Sequence, residues 1–235
     1  MTPLHLLSGG AAKGLVSALQ ARFLGKTGLA IEGSFNAVGM MRDQLLAGAP
    51  CDAVILTDAL ITQLTESGHV KPGSAWPLGI VKTGIAVKDG VATPLLESAT
   101  QLRQALLAAS TVYFPDPVKA TAGIHFMNVL KQLGIEAELG DRLRPYPNGA
   151  AAMQALSQAG EPDAIGCTQV TEIIFAPGVQ LVAALPKEFE LATVYTAAVC
   201  SRATQPQAAA TLIELLTSEE AASLRSAGGF EPTAH

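Results

Sequence analysis

Short apolar runs alternate along this chain with segments whose apolar residues recur three and four positions apart, the spacing of one helix face. Residues 4–7 form the first run and pass into Ser8-Gly9-Gly10, after which Leu15, Leu19 and Phe23 keep helical spacing as far as Gly28. That pattern predicts strand, tight loop and helix. A second run, 29–35, leads through Asn36-Ala37-Val38 into a helix carrying Met40, Met41, Leu45 and Leu46, stopped by Gly48 and Pro50. A third predicted strand, 52–56, precedes a helix over 57–66, with Asp58 placed to meet the positive end of the helix dipole.

Pro and Gly punctuate 72–76, and the strand-like stretch 78–87 reads as a crossing into a second lobe. There a helix is predicted over 99–109, a strand over 111–114, a loop over 115–120 and a helix from Thr121 to a stop at Gly134. Residues 144–147 lead into Asn148-Gly149 and an Ala-rich helix. Strand 163–167, Thr168, a helix to Phe175 and strand 179–185 follow. The run 193–200 reads as the return crossing, and 205–216 and 218–226 as helices on the first lobe. Strands alternating with helices at this spacing predict an α/β fold, each lobe a mostly parallel sheet flanked by helices. The expected division is 1–80 with 201–235 as lobe 1, and 81–200, crossing strands included, as lobe 2.

Composition narrows the class. Of 235 residues, 49% are hydrophobic and 15% charged, which suits covered α/β layers and argues against disorder. A net charge of −5 without a basic cluster supplies no field for a phosphate backbone, so no nucleic-acid partner is expected. No apolar stretch approaches the roughly 18 residues of a membrane span, and no membrane insertion is expected. The amino terminus reads as a strand and glycine loop and lacks the basic region and long apolar core of a secretory signal. The chain as it stands therefore reads as cytoplasmic, or as periplasmic if a leader has been trimmed. Three cysteines without a CxxC pair argue against a disulfide framework or zinc site, and His5, His69 and His235 show no ligand spacing, so no metal is expected.

The loops carry the candidate chemistry. Binding an anion with few charged side chains requires converging N–H groups, and helix starts supply them together with the positive dipole end. Ser8, Gly9, Gly10 and Ala11 fit this design, as do Asn36, Ala37 and Val38, then Thr121, Ala122 and Gly123, with Thr121 as the expected cap. Asn148, Gly149, Thr168 and Gln169 offer further donors, with Lys13, Arg42, Lys119 and Arg144 as possible counter-charges. Ordinary caps and turns use the same residue types. The glycine loop spells neither GxGxxG nor a Walker GK[ST], no GxSxG nucleophile occurs, and nothing in the pattern calls for a cofactor.

Three strings carry a family resemblance: LAGAPCDAVILTD at 46–58, DPVKATAGI at 116–124 and LKQLGI at 130–135. They resemble the periplasmic molybdate-binding proteins of ABC transporters, and the similarity spans almost the whole chain. The resemblance implies a two-lobed type II periplasmic-binding-protein fold holding a small anion in the cleft between its lobes, with an ABC permease as partner if the chain is exported. It also implies oxyanion contacts at Ala11, Val38, Ala122 and Cys167, where the family places a serine, a serine, a small residue and a tyrosine. Only the small residue is kept. Each missing hydrogen bond to a charged ligand costs on the order of 1.5–3 kcal/mol, which argues against molybdate and for a different anion.

The resemblance extends to aconitate isomerase, a binding-protein-like enzyme that shifts a double bond within a small tricarboxylate. Such a proton shift needs a base and fixed donors for the intermediate's charge. Candidate bases are His125, Glu172 and Tyr195, each also readable as a structural residue. Two readings stand side by side: a substrate-binding protein that traps an oxyanion or small carboxylate, or an isomerase of a small unsaturated tricarboxylate.

Overall fold

The structure, a computed structural model, describes residues 2–233, so His235 lies outside the described residues. In chain order the elements are β1 (Leu4–Gly9), α1 (Lys13–Thr27), β2 (Ile31–Asn36), α2 (Val38–Leu46), β3 (Ala53–Thr57), α3 (Asp58–Glu66) and β4 (Trp76–Lys88). There follow α4 (Ala99–Ala108), β5 (Val112–Pro115), α5 (Thr121–Gln132), α6 (Glu136–Leu139), β6 (Leu143–Tyr146) and α7 (Gly149–Gln158). The series closes with β7 (Ile165–Gln169), α8 (Val170–Phe175), β8 (Val179–Ala184), β9 (Ala192–Val199), α9 (Pro206–Thr217) and α10 (Ala222–Ala227). The chain divides into two compact units, Met1–Val81 with Thr193–His235, and Lys82–Ala192.

In the first unit β1 lies between β2 and β3, parallel to both, and β9 runs antiparallel along β3. Leu6, Leu19, Phe23, Val54, Ile55, Leu212 and Leu216 build its core, so the apolar stripe of α1 meets strand residues and α9. Burying each such side chain contributes about 1.5–3 kcal/mol. Helix α1 stops where the sequence reading placed the stop: Gly28 takes φ 71° and its N–H donates to the Leu24 carbonyl at 2.8 Å. A left-handed residue of this kind is the usual glycine helix end.

One buried carboxylate ties this unit together. Asp52 Oδ1 accepts from the amides of Thr204 (2.7 Å) and Gln205 (2.8 Å) and the Thr204 hydroxyl (3.0 Å), while Oδ2 accepts from the His5 amide (2.9 Å). It joins β1, the lead-in to β3 and the start of α9. Burial alone would raise its pKa, but these four donors outweigh burial and hold it below the ordinary carboxylate value.

In the second unit β5 lies between β6 and β7, parallel to both; β4 runs antiparallel to β7 and to β8. Two apolar clusters cover this sheet. One includes Leu102, Leu106, Val129, Leu130 and the tilted ring pair Phe114–Phe126, with centroids 5.5 Å apart. The other sets Ala152, Met153 and Leu156 of α7 against Ile173 and Val179. Helix α7 comes so close to β7 that a Cβ on Gly166 would stand 2.6 Å from Met153 Cε and 2.8 Å from Leu156 Cδ2, so any larger residue there would require these side chains to shift.

Candidate functional site

The predicted loops fall at the carboxyl ends of the parallel strands, where α/β sheets commonly hold ligands. In the first unit the ends of β1 and β2 are in register, Gly9 opposite Asn36, which brings the loop at Ser8 to Ala11 beside that at Asn36 to Val38. Gly9 is tightly enclosed. A Cβ there would stand 2.8 Å from Val38 Cγ1 and 3.0 Å from the Tyr195 ring, so both loops and Tyr195 converge on it. No side chain caps the turn that starts α1 or the start of α2.

Several side chains here are occupied locally. The buried Ser8 hydroxyl donates to the Gly9 carbonyl at 2.9 Å, and Asn36 Oδ1 accepts from the Ala37 amide at 2.9 Å. Tyr195 is part of the first unit's core. Arg42 pairs with Asp43 at 2.7 Å, and Lys13 is exposed. Two cavities in this unit, of about 430 and 340 Å³, are lined by none of the predicted site residues.

In the second unit the cap of α5 is Ala120, with Thr121 its first helical residue, and no side chain caps this start. Gly123 is explained by packing inside the unit: a Cβ would stand 2.2 Å from the Asp116 carbonyl and 2.3 Å from that of Pro115. Its bare Cα lets α5 sit on its own entry loop. Asp116 Oδ1 in that loop accepts from the amides of Val118 (2.7 Å) and Lys119 (2.8 Å), an Asx turn. His125 Nε2 donates to the Phe189 carbonyl at 2.7 Å, which fixes the ring and its tautomer. Arg144 is exposed and donates to the carbonyls of Asp141 and Leu143.

The ends of β6 and β7 bring together Asn148, Gly149, Thr168, Gln169 and Glu172. Asn148 caps α7, its Oδ1 accepting from the Ala151 amide at 2.9 Å. A Cβ on Gly149 would stand 2.0 Å from Glu172 Oε2 and 2.2 Å from Thr168 Oγ1, so the first turn of α7 lies against this pair. Thr168 Oγ1 donates to Glu172 Oε2 at 2.5 Å, and the Gln169 backbone amide also donates to Glu172. The latter contact is half of a capping box, the third helical residue reaching back to the cap. Desolvation raises the pKa of Glu172 against the lowering effect of both donors, so this carboxyl holds its proton more readily than an exposed one. The Cys167 thiol is fully buried, and burial pushes it up.

Gln169 differs from all of these. Its side chain is 3% exposed, and neither Oε1 nor Nε2 has a hydrogen-bond partner. Thr83 of β4 lies directly opposite it in the ladder, 1% exposed, and Thr83 Oγ1 is likewise unpartnered. Thr171 Oγ1, two residues along, is a further unpartnered buried hydroxyl. Buried polar groups are nearly always paired, so these exceptions make this end of β7 a candidate binding position. The sequence reading included Gln169 but missed Thr83 and Thr171, since threonine in a strand or helix carries no mark of lacking a partner.

The profile of bacterial extracellular solute-binding proteins matches residues 4–231. The chain belongs to that family. It is 25% identical over 240 residues to an aconitate isomerase from a Pseudomonas species, covering 99% of this chain and 88% of the relative. Its fold is that of the periplasmic molybdate-binding protein of Azotobacter vinelandii, with a TM-score of 0.81, 19% identity, and coverage of 98% of this chain and 100% of the other. The sulfate-binding protein of Mycobacterium tuberculosis superposes with a TM-score of 0.76 and 19% identity, covering 99% of this chain and 88% of the other. The fold is therefore the two-lobed type II periplasmic-binding-protein fold expected from the sequence. Among the described residues no helix is long and apolar enough to cross a membrane.

Proposed function

We propose that this chain is a substrate-binding protein for a small carboxylate, held at the carboxyl end of β7 by the Gln169 amide. The observation that carries this reading is the buried, unpartnered Gln169 side chain at the end of β7. An amide has both a donor and an acceptor face, and each must be met when it is buried. A fully deprotonated tetrahedral oxyanion has acceptors only and would leave Oε1 unmatched. A carboxylate that also carries a hydroxyl or a retained proton meets both faces. The absence of hydroxyl donors at Ala11 and Val38 points the same way.

The ligand-bound form would be the state a transporter reads, with an ABC permease as recipient if the chain is exported. Native mass spectrometry of the protein as purified tests the reading: a retained species with the mass of a small organic acid is expected. Thermal stabilisation by sulfate and molybdate but by no carboxylate would overturn it.

The aconitate isomerase relative supports a second reading, in which the same site moves a proton on a bound unsaturated tricarboxylate. Glu172, its carboxyl shifted upward by burial, is then the candidate base, although its bonds to Thr168 and Gln169 also serve the local structure. His125 donates to Phe189 and Tyr195 belongs to the first unit's core. Incubation with cis- and trans-aconitate in deuterated buffer separates the two: interconversion or deuterium uptake supports catalysis, and unchanged substrate at high protein concentration removes it.

A further inference from the structure

The first unit is assembled from two separate stretches of chain, and these meet at a pair of sulfurs. Cys51 precedes β3 in the first stretch, Cys200 follows β9 in the second, and their Sγ atoms are 3.2 Å apart. Both are buried free thiols. The Cys200 thiol donates to Cys51 Sγ, and the Cys51 thiol donates to the Ala53 carbonyl at 3.0 Å. The backbone around them is held: the Cys200 amide donates to the Asp52 carbonyl at 3.0 Å, and the β3–β9 ladder begins alongside with Ala53 opposite Val199. A disulfide requires about 2.05 Å between sulfurs, so the pair needs an approach of roughly 1 Å, within reach of small side-chain rotations.

Access is provided as well. Cys51 and Cys200 both line a cavity of about 340 Å³, together with His69 and Arg202. A molecule the size of hydrogen peroxide fits easily in that space.

We propose that Cys51 and Cys200 form an oxidisable pair, which hydrogen peroxide entering this cavity converts to an intramolecular disulfide that staples the two halves of the first unit. One thiol attacks the peroxide oxygen and becomes a sulfenic acid, releasing water. The other thiol displaces the sulfenic oxygen as a second water. Two thiol hydrogens and two electrons leave the protein, and the peroxide is reduced to two waters. The bond closes a loop spanning 149 positions that contains the whole of Lys82–Ala192. A cross-link over so long a loop removes much freedom from the unfolded chain. It would hold the first unit together even when the second is unfolded.

The test treats the full-length native protein with hydrogen peroxide and follows intact mass, thiol count after denaturation, and peptide mapping without reduction. Oxidation is expected to lower the mass by about 2 Da, to reduce the titratable thiols from three to one, and to join the Cys51 and Cys200 peptides. The melting temperature should rise by several degrees and return on reduction. Cys167→Ala should keep the mass loss, the cross-link and the rise in melting temperature, with titratable thiols falling from two to none, whereas Cys51→Ala and Cys200→Ala should each abolish the cross-link. Mass gains from added oxygen without a cross-link, a link through Cys167 or between chains, or three surviving thiols would overturn the proposal. Because wild type and Cys167→Ala already decide the matter, a poorly folding Cys200→Ala does not blunt the test.

Discussion

Replacing Gln169 with leucine separates the requirements of folding from those of binding. The native amide is 3% exposed with Oε1 and Nε2 both unpartnered. An unsatisfied buried polar group costs about 1–3 kcal/mol, and leucine brings similar bulk without polar atoms. Allowing for imperfect packing, the ligand-free variant should be more stable by about 2 kcal/mol, which for a chain of this size raises the melting temperature by roughly 4–8 °C. Binding should move the other way. Loss of a hydrogen bond to a charged ligand, about 1.5–3 kcal/mol, weakens affinity by at least about tenfold. Thermal unfolding with and without ligand, combined with calorimetric titration, reads both effects. A variant less stable than wild type and binding equally well would show that the amide serves the fold, and the reasoning would fail.

Asp52→Asn removes a charge from four donors and should destabilise the protein by about 2–4 kcal/mol in urea unfolding at neutral pH. The folded pKa of Asp52 is depressed, so its contribution is complete above the unfolded value of about 3.9 and is lost as pH falls through the folded one. The acid limb of a stability–pH curve should therefore be shallower in the variant. Glu172 has the opposite sign: its folded pKa is raised, so wild-type stability should decline as pH climbs from about 4.3 through the folded value, and Glu172→Gln should remove that decline. Gly123→Ala would set a methyl group 2.2 Å from the Asp116 carbonyl and should cost about 1–3 kcal/mol by chemical denaturation, with no repair by ligand.

Elements governed by local chemistry were legible in the sequence. Gly28 and Gly134 both take positive φ and end helices at the positions read for them, because that conformation is marked by the residue itself. The sequence places a strand over 163–167 with Thr168 at the start of the next helix, whereas β7 runs Ile165–Gln169 and carries the polar Thr168 and Gln169, buried, to its last position. The loops at residues 8–11 and 36–38 were read as neighbours of a ligand, and the register of β1 and β2 does set them side by side. What the sequence hid were partnerships between distant residues. Asp52 reads as the polar first residue of a strand, yet its hydrogen-bond partners lie 47, 152 and 153 positions away. Glycine at 123 looked like an opening toward a ligand, and only the packed loop carbonyls reveal that it faces inward. The lack of a partner for Thr83 is a property of the fold with no counterpart in composition or spacing.

The most direct test of the account is calorimetric titration of malate, succinate, citrate, trans-aconitate, sulfate and molybdate into the wild-type protein and Gln169→Leu. The account predicts saturable binding of at least one carboxylate, stronger than that of either tetrahedral oxyanion and weakened by at least about tenfold in the variant. Binding of sulfate or molybdate alone, with equal affinity for both proteins, would contradict it.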